Sequence, residues 1–317
     1  MSPNSWICLH PSNATQTTVS LDNRGLAYGD GFFTTMGVID GQILWLDYHQ
    51  QRLVSHAVAL QLQLDSFSLL TALKTHAKQL QQGMLKLIIT RAEQEVRGYG
   101  YTPNTGGGSA CEIWLKSSPM AITTARSLPL ADGQFIPLQP TASAICLSSQ
   151  IACLPPTLAG LKSLNRLDNV LASGELQAIK AKTLAGTIKP SIAEGLLRDI
   201  SGHWVEGTMS NVFYQLVEEP VAKSSNRPHS QNNSNSNYLT QGQWYTPSMA
   251  QSGVAGVMRQ VIIDTLSTSN NPVIIRSLQD EDLPHLSQLF FCNALRGIMP
   301  MSSLRLLSGE VVSFEAI

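Results

Sequence analysis

Apolar residues change their spacing along this chain from nearly continuous or every second position to steps of three and four, and the changes mark its elements. Residues 32–39 run apolar, Asp40-Gly41 supplies a two-residue turn, and 42–46 returns, so a β-hairpin is predicted there. From Leu46 the period lengthens. Tyr48, Arg52, Leu53, His56, Ala57, Leu60 and Leu64 fit one helix with Asp47 at its cap, and 67–81 fits a second helix ended by Gly83. Residues 84–90 and 110–115 are predicted strands, with a glycine-rich loop at 98–108 between them. Ahead of the hairpin, Asp22-Asn-Arg-Gly25 reads as a turn and Tyr28-Gly-Asp-Gly31 as a glycine-rich approach to the strand. No G-K-[ST] follows those glycines, which excludes a nucleotide phosphate loop.

Residues 117–142 are rich in Ser, Pro, Thr and Ala with weak periodicity, which predicts an interdomain linker with an excursion. The division that follows is a small α/β domain at 1–116 and a larger domain at 143–317. In the second part, 144–147, 192–200, 212–217, 273–276 and 289–295 are predicted strands. Leu164, Leu167, Val170 and Leu171 predict the buried face of a helix reaching about Lys182, with Asn165 as its cap. The run from Ser252 to Gln260 opens another helix, which carries Val261, Ile262, Thr265 and Leu266. Residues 219–243 are polar, full of Ser, Asn and Gln, and read as a disordered hairpin extension. The order of elements predicts two halves with mixed sheets, α+β and α/β in character.

Composition narrows the function classes. The net charge is −1 over 317 residues, so bulk electrostatics give no footing for nucleic acid or an anionic membrane surface. No apolar run has the length of a membrane span, and the start lacks a basic region followed by an apolar stretch, which predicts a soluble cytoplasmic protein. Cys8, Cys111, Cys146, Cys153 and Cys292 are an odd number without a C-x-x-C pair, as expected of reduced thiols. His49 and His56 belong to no metal-ligand pattern and are expected to be core or solvated side chains.

The candidate chemistry gathers around Lys162, set between a glycine turn and an amphipathic segment. A partly dry site would lower its pKa and free a nucleophilic amine. Arg52, on the buried side of its helix, offers a guanidinium for a phosphate. Gly253-Val-Ala-Gly-Val-Met258 runs into a helix whose first amides and dipole favour an anion. Glu206, between Val205 and Gly207, offers a carboxylate to a cationic ring nitrogen, and Cys292-Asn-Ala-Leu295 ends an apolar strand with amides that can reach a ligand. An amine, a phosphate cradle and a carboxylate are what a pyridoxal phosphate site requires.

The same residues carry a family resemblance. In order they are Tyr-Gly-Asp-Gly-Phe-Phe-Thr-Thr at 28–35, Gln-Arg-Leu at 51–53, Leu-Lys-Leu-Ile-Ile-Thr-Arg at 85–91 and Arg-Gly-Tyr at 97–99. Gly-Leu-Lys-Ser-Leu-Asn-Arg-Leu at 160–167, Glu-Gly-x-x-x-Asn-Val-Phe at 206–213, Gly-Val-Ala-Gly-Val-Met-Arg-Gln at 253–260 and Cys-Asn-Ala-Leu at 292–295 follow. This series resembles the fold-type IV pyridoxal phosphate enzymes from about Leu21 to Met301, and within them looks most like the 4-amino-4-deoxychorismate lyases. D-amino acid and branched-chain aminotransferases are the alternative on the same scaffold.

The resemblance implies a two-domain fold-type IV enzyme, a homodimer with pyridoxal 5'-phosphate between its domains. It makes Lys162 the Schiff-base lysine and Glu206 the acid facing the pyridine nitrogen. Arg52, Val257, Met258 and Asn293 become phosphate ligands, with Asn293 shared with the substrate carboxylate and Ala294 a substrate amide donor. Arg97 and Tyr99 fall where some relatives bind the substrate carboxylate. Arg166 lies near the place where aminotransferases put a tyrosine. The implied reaction yields 4-aminobenzoate and pyruvate for folate synthesis.

Overall fold

The computed structural model describes residues 6–10, 18–103, 108, 110–122, 126–130, 134–183, 192–217 and 238–314. Two sheets organise them. The first has the order β1-β5-β4-β2-β3 and is antiparallel throughout, built from β1 (Trp6–His10), β2 (Gly31–Ile39), β3 (Gln42–Ile43), β4 (Gly83–Arg91) and β5 (Cys111–Pro119). Three helices accompany it, α1 (Arg24–Tyr28), α2 (Leu46–Ala59) and α3 (Ser66–Leu80). Leu53, Ala57, Leu69, Leu73 and Ala77 of α2 and α3 pack on Phe32, Met36, Leu85, Leu87, Ile89 and Leu115. Because side chains alternate along a strand, Phe33, Thr35, Gly37, Lys86, Ile88 and Lys116 lie on the other face, away from the helices.

The second sheet has eleven strands. They are β6 (Arg126–Pro129), β7 (Phe135–Leu138), β8 (Ala142–Ile151), β9 (Ile192–Asp199), β10 (Trp204–Gly207), β11 (Asn211–Leu216), β12 (Tyr245–Thr246), β13 (Ile274–Ile275), β14 (Leu286–Asn293), β15 (Gly297–Arg305) and β16 (Val311–Ser313). Pairing runs from β8 through β15, β14, β11, β10 and β9 and back to β8, so these strands close into a barrel. Its interior holds Ala144, Cys146, Leu196, Trp204, Val212, Tyr214, Phe291 and Met301. The neighbouring positions point outward. Ile145, Leu147, Leu197 and Val205 meet Ala172 and Leu176 of α4 (Leu167–Thr183), and Phe213, Phe290 and Cys292 meet α5 (Val257–Leu266).

Several local expectations change. The stripe of Leu167, Val170 and Leu171 is not a buried face: these residues are 79%, 61% and 70% exposed, because α4 meets the barrel through Ala172 and Leu176 instead. Asn165 does not cap α4; its amide donates to Gly29 O at 3.4 Å, and the carbonyl of Arg166 takes the first helical bond, from Val170. Asp47 lies inside the first turn of α2, whose cap is Trp45 in a left-handed conformation with no side-chain capping bond. That helix also stops at Ala59, short of Leu64. Gly83 opens β4 rather than ending α3, which closes at Gln81; a β-carbon on Gly83, at φ 151°, would collide with Ser118 O.

Asp22-Asn-Arg-Gly25 leads into α1, where Asn23 Oδ1 accepts Leu26 N–H at 3.2 Å. The return strand of the first hairpin is only Gln42–Ile43. Within 117–142, β5 runs on to Pro119, and β6 and β7 form an antiparallel pair joined to β15. The stretch 202–211 contains β10, and β15 and β16 are strands without a counterpart in the sequence reading. Of the polar extension at 219–243, positions 219–237 lie outside the described residues.

Candidate active site

Lys162 sits on a connecting segment held along both edges by main-chain bonds. On one side Phe33 N–H donates to Lys162 O at 3.0 Å and Leu164 N–H to Gly31 O at 3.0 Å, which joins the segment to β2. On the other, Ala255 N–H donates to Gly160 O at 2.9 Å. Gly160 is at φ 75°, a left-handed conformation that favours glycine. The backbone N–H of Lys162 donates to His56 Nε2 at 2.9 Å, which leaves the imidazole proton on Nδ1, 3.2 Å from Ser55 Oγ. The Lys162 ammonium stands 4.6 Å from the centre of the Phe33 ring. Burial, then the nearby Arg52, push its pKa down to about 8, against the opposing pull of Glu206.

Arg52 is 7% exposed and has no carboxylate partner among the described residues. Its Nη2 donates to Ala255 O at 2.7 Å and its Nη1 to Thr34 Oγ1 at 3.4 Å. Burial lowers its pKa to about 10. Beside it α5 begins at Gly256, which offers no side-chain cap, so the first-turn amides of Val257 and Met258 lack a helical acceptor. A buried, unpaired guanidinium against free helix-start amides is a built anion site. A β-carbon on Gly256 would collide with Asn211 Oδ1, so a larger residue there would displace the Asn211 side chain from beside the helix end.

Glu206 projects from β10 and is 3% exposed. Its Oε2 accepts Val254 N–H at 2.8 Å and its Oε1 accepts the Asn169 amide at 3.3 Å. Burial raises its pKa, and the bond from Val254 opposes that. Around it, Asn169 Oδ1 and Arg166 Nε are buried without a hydrogen-bond partner among the described residues. The segment 253–258 thus ties Glu206, through Val254, to Arg52, through Ala255, while Gly160 O anchors Lys162 to the same turn. An amine, an anion cradle and a buried carboxylate around buried polar atoms that lack partners fit pyridoxal phosphate.

The other sequence candidates are placed less centrally. Asn293 ends β14, where its Oδ1 accepts Leu295 and Arg296 N–H at 3.1 and 2.9 Å and its amide donates to Met209 O at 3.4 Å. Ala294 borders the open face of the first sheet, its carbonyl 3.7 Å from where a β-carbon on Gly37 would stand. Arg97 and Tyr99 are exposed on a connection that Arg24 holds through Gly98 O and Tyr99 O, both at 3.1 Å. Among the described residues they share no hydrogen bond or ring contact with Lys162, Arg52 or Glu206.

His56, expected to be a core or solvated side chain, and Asn169 join the site only in the structure. His56 is four residues past Arg52 on the same helical face, a spacing that could have suggested a shared site. Asn169 carried no such signal, because its partner Glu206 comes from a strand the sequence reading missed.

Comparison with known proteins identifies the family. The chain is 25% identical over 291 residues to an aminodeoxychorismate lyase of Vibrio harveyi, covering 91% of this chain and 88% of the relative. The crystal structure of 4-amino-4-deoxychorismate lyase from Pseudomonas aeruginosa superposes with a TM-score of 0.69 at 28% identity, covering 95% of this chain and 92% of that one. Branched-chain amino acid aminotransferase from Escherichia coli shares the fold, with a TM-score of 0.62 at 19% identity over 90% of this chain and 81% of that one. The family model for amino-transferase class IV matches residues 31–304, and the chain belongs to that family.

Proposed function

We propose that this protein is a pyridoxal phosphate-dependent lyase that converts 4-amino-4-deoxychorismate to 4-aminobenzoate and pyruvate, a step of folate synthesis. The observation that carries the reading is the gathering of Lys162, Arg52 and Glu206 on one turn, 253–258, with the amine of Lys162 depressed to about pH 8. The likeness at 25% and 28% identity to proteins named as this lyase supports the choice of reaction.

When bound, the cofactor supplies an electron sink for charge developing at the substrate carbon. Arg52 and the amides of Val257 and Met258 hold its phosphate, with Asn293 at the edge of that cradle. Glu206 holds the proton on the pyridine nitrogen. Lys162 would anchor the cofactor through its Nζ and, in its neutral form, would take the proton from the amine-bearing ring carbon of the substrate. Asn293, Ala294, Arg97 and Tyr99 face the substrate. The ring carbon–oxygen bond to the enolpyruvyl group then breaks, the group leaves as enolpyruvate and takes up a proton to become pyruvate, and the ring is left aromatic, which drives the elimination. The molecule acts as a cytoplasmic homodimer, and the exposed Leu167, Val170 and Leu171 of α4 are available for its interface. A small domain at 1–116 and a larger one at 143–317 flank the cofactor.

The test is a product assay on the purified, cofactor-loaded protein. Release of 4-aminobenzoate from aminodeoxychorismate is expected. Efficient exchange of amino groups between amino and keto acids without 4-aminobenzoate would replace the lyase by an aminotransferase. A Lys162→Ala protein that still takes up a yellow, borohydride-sensitive cofactor would remove Lys162 as its anchor.

A further inference from the structure

Thr34 and His49 form a buried pair behind Arg52. Thr34 lies on β2 opposite Leu87, on the helix-covered face that Phe32 and Met36 share. His49 lies on α2, three residues before Arg52 on the same buried face. Neither side chain is exposed to solvent. Thr34 Oγ1 stands 2.9 Å from His49 Nδ1 and accepts Arg52 Nη1 at 3.4 Å, so one hydroxyl joins the imidazole to the guanidinium.

The ring is neutral, because burial, then the charge of Arg52, hold the His49 pKa well below its ordinary value. A guanidinium only donates, so Thr34 Oγ1 receives Arg52 in either tautomer of His49. With the ring proton on Nε2, Thr34 gives its own proton to Nδ1, and Nε2 is buried without a partner among the described residues. With the ring proton on Nδ1, the Thr34 proton is left over instead. Either way one buried donor is stranded, at a cost of about 1–3 kcal/mol that an apolar side chain at 49 would avoid. Packing therefore does not account for this histidine. The pair engages one of the five guanidinium protons, and Ala255 O engages a second at 2.7 Å. Arg24 and Arg91 are held differently, each donating through Nε to Asp30 Oδ2 at 2.9 Å. A carboxylate orients a guanidinium and cancels its charge, whereas a hydroxyl and a carbonyl orient it and leave the charge in place.

We propose that Thr34 and His49 are positioning residues for Arg52: His49 fixes the Thr34 hydroxyl, Thr34 fixes the guanidinium plane, and the remaining N–H groups meet a phosphate with their charge undiminished. The stranded donor destabilises the empty protein and is kept for the affinity of the cradle. This assignment rests on the reading of Arg52 as a phosphate ligand and adds to it the residues that orient that ligand.

The experiment compares wild type with Thr34→Val, Thr34→Ser, His49→Leu and Arg52→Met, all as full-length apoprotein. Absorbance titrations give the affinity for pyridoxal 5'-phosphate and for pyridoxal, which lacks the phosphate, and thermal melts give the protection conferred by inorganic phosphate. Thr34→Val is expected to weaken pyridoxal 5'-phosphate binding by about threefold to tenfold, the contribution of one hydrogen bond, and to need more inorganic phosphate for the same protection. Pyridoxal affinity stays at the wild-type value, and Thr34→Ser restores the loss. His49→Leu, which leaves β2 untouched, should show the same selective loss while its phosphate-free form melts no lower than wild type, because the stranded donor is gone. A role in packing alone would lower the melt and spare the preference for the phosphate. Wild-type pyridoxal 5'-phosphate affinity in Thr34→Val and His49→Leu, or an equal loss for pyridoxal, overturns the positioning role. An unchanged preference for the phosphate in Arg52→Met overturns the reading of Arg52 itself.

Discussion

The imidazole of His56 accepts the backbone N–H of Lys162 at 2.9 Å, across 106 positions of sequence. Burial and the cations around it lower the His56 pKa to about 3, so the ring is neutral and Nε2 keeps its lone pair for that bond. The helix that supplies Arg52 therefore also fixes the main chain of the lysine.

Removing this acceptor leaves a buried donor unsatisfied, at a cost of about 1–3 kcal/mol. His56→Ala is expected to lower the denaturant midpoint by that margin and to reduce kcat, with His56→Gln recovering part of both. The wild-type bond also has a pH signature. Because the folded pKa lies below the unfolded value, stability is full above about pH 6.5 and declines as pH falls towards 3. His49, also pushed down by burial, adds to the decline. Midpoints measured across that range should fall less steeply in His56→Gln; an unchanged slope would argue against a neutral buried His56.

Arg52 is a buried cation without an acid among the described residues, which costs the empty protein stability and favours the anion-bound one. Arg52→Met should weaken cofactor binding by about tenfold or more, while the apoprotein melts no lower than wild type. Thermal melts with and without cofactor separate the two effects, and a destabilised apoprotein with unchanged cofactor affinity would place the phosphate elsewhere.

On the proposed reading, Glu206→Gln keeps an acceptor for Val254 N–H but no charge for the pyridine nitrogen. Cofactor occupancy should stay near wild type and kcat fall by about a hundredfold, as when a preorganised electrostatic partner is lost. A variant of wild-type speed removes Glu206 from the chemistry.

The lowered pKa of Lys162 fixes the pH at which its amine becomes free. Cofactor capture by the apoprotein should accelerate as pH rises and reach half its maximum near pH 8, where the amine loses its proton. Arg52→Met, by removing a cation, should move that midpoint upward. Stopped-flow absorbance against pH measures both, and a wild-type midpoint near the ordinary lysine value of 10.5 would mean a solvated amine.

Gly256→Ala is the steric counterpart. Its β-carbon collides with Asn211 Oδ1, so either the Asn211 side chain, with its bond to Val254 O, or the start of α5 must shift. Weaker cofactor binding with little change in far-UV circular dichroism is expected. Unchanged affinity would mean that the helix start does not contribute to the cradle.

The elements with strong periodicity were legible in the sequence, and so were the residues that carry distinctive chemistry. The apolar run of β2, the Asp40-Gly41 turn and the start of α5 follow from local pattern, as does the placing of Lys162 after a glycine turn. The register of α4 was not legible, because Leu167, Val170 and Leu171 are as apolar as a core face and only the tertiary contacts of Ala172 and Leu176 show which side is covered. Short strands such as β10 carry too few residues for a period to emerge.

The two-sided anchoring of the Lys162 segment has a mechanical consequence. One edge is bonded to β2 of the first sheet and the other to the turn before α5 on the barrel. Any breathing motion that parts the first sheet from the barrel loads this span, together with the bond from Arg52 to Ala255 O, in tension. On the proposed reading the Lys162 amine thus doubles as a gauge of the spacing between the first sheet and the barrel, and a ligand bridging the two would lock that spacing as it binds.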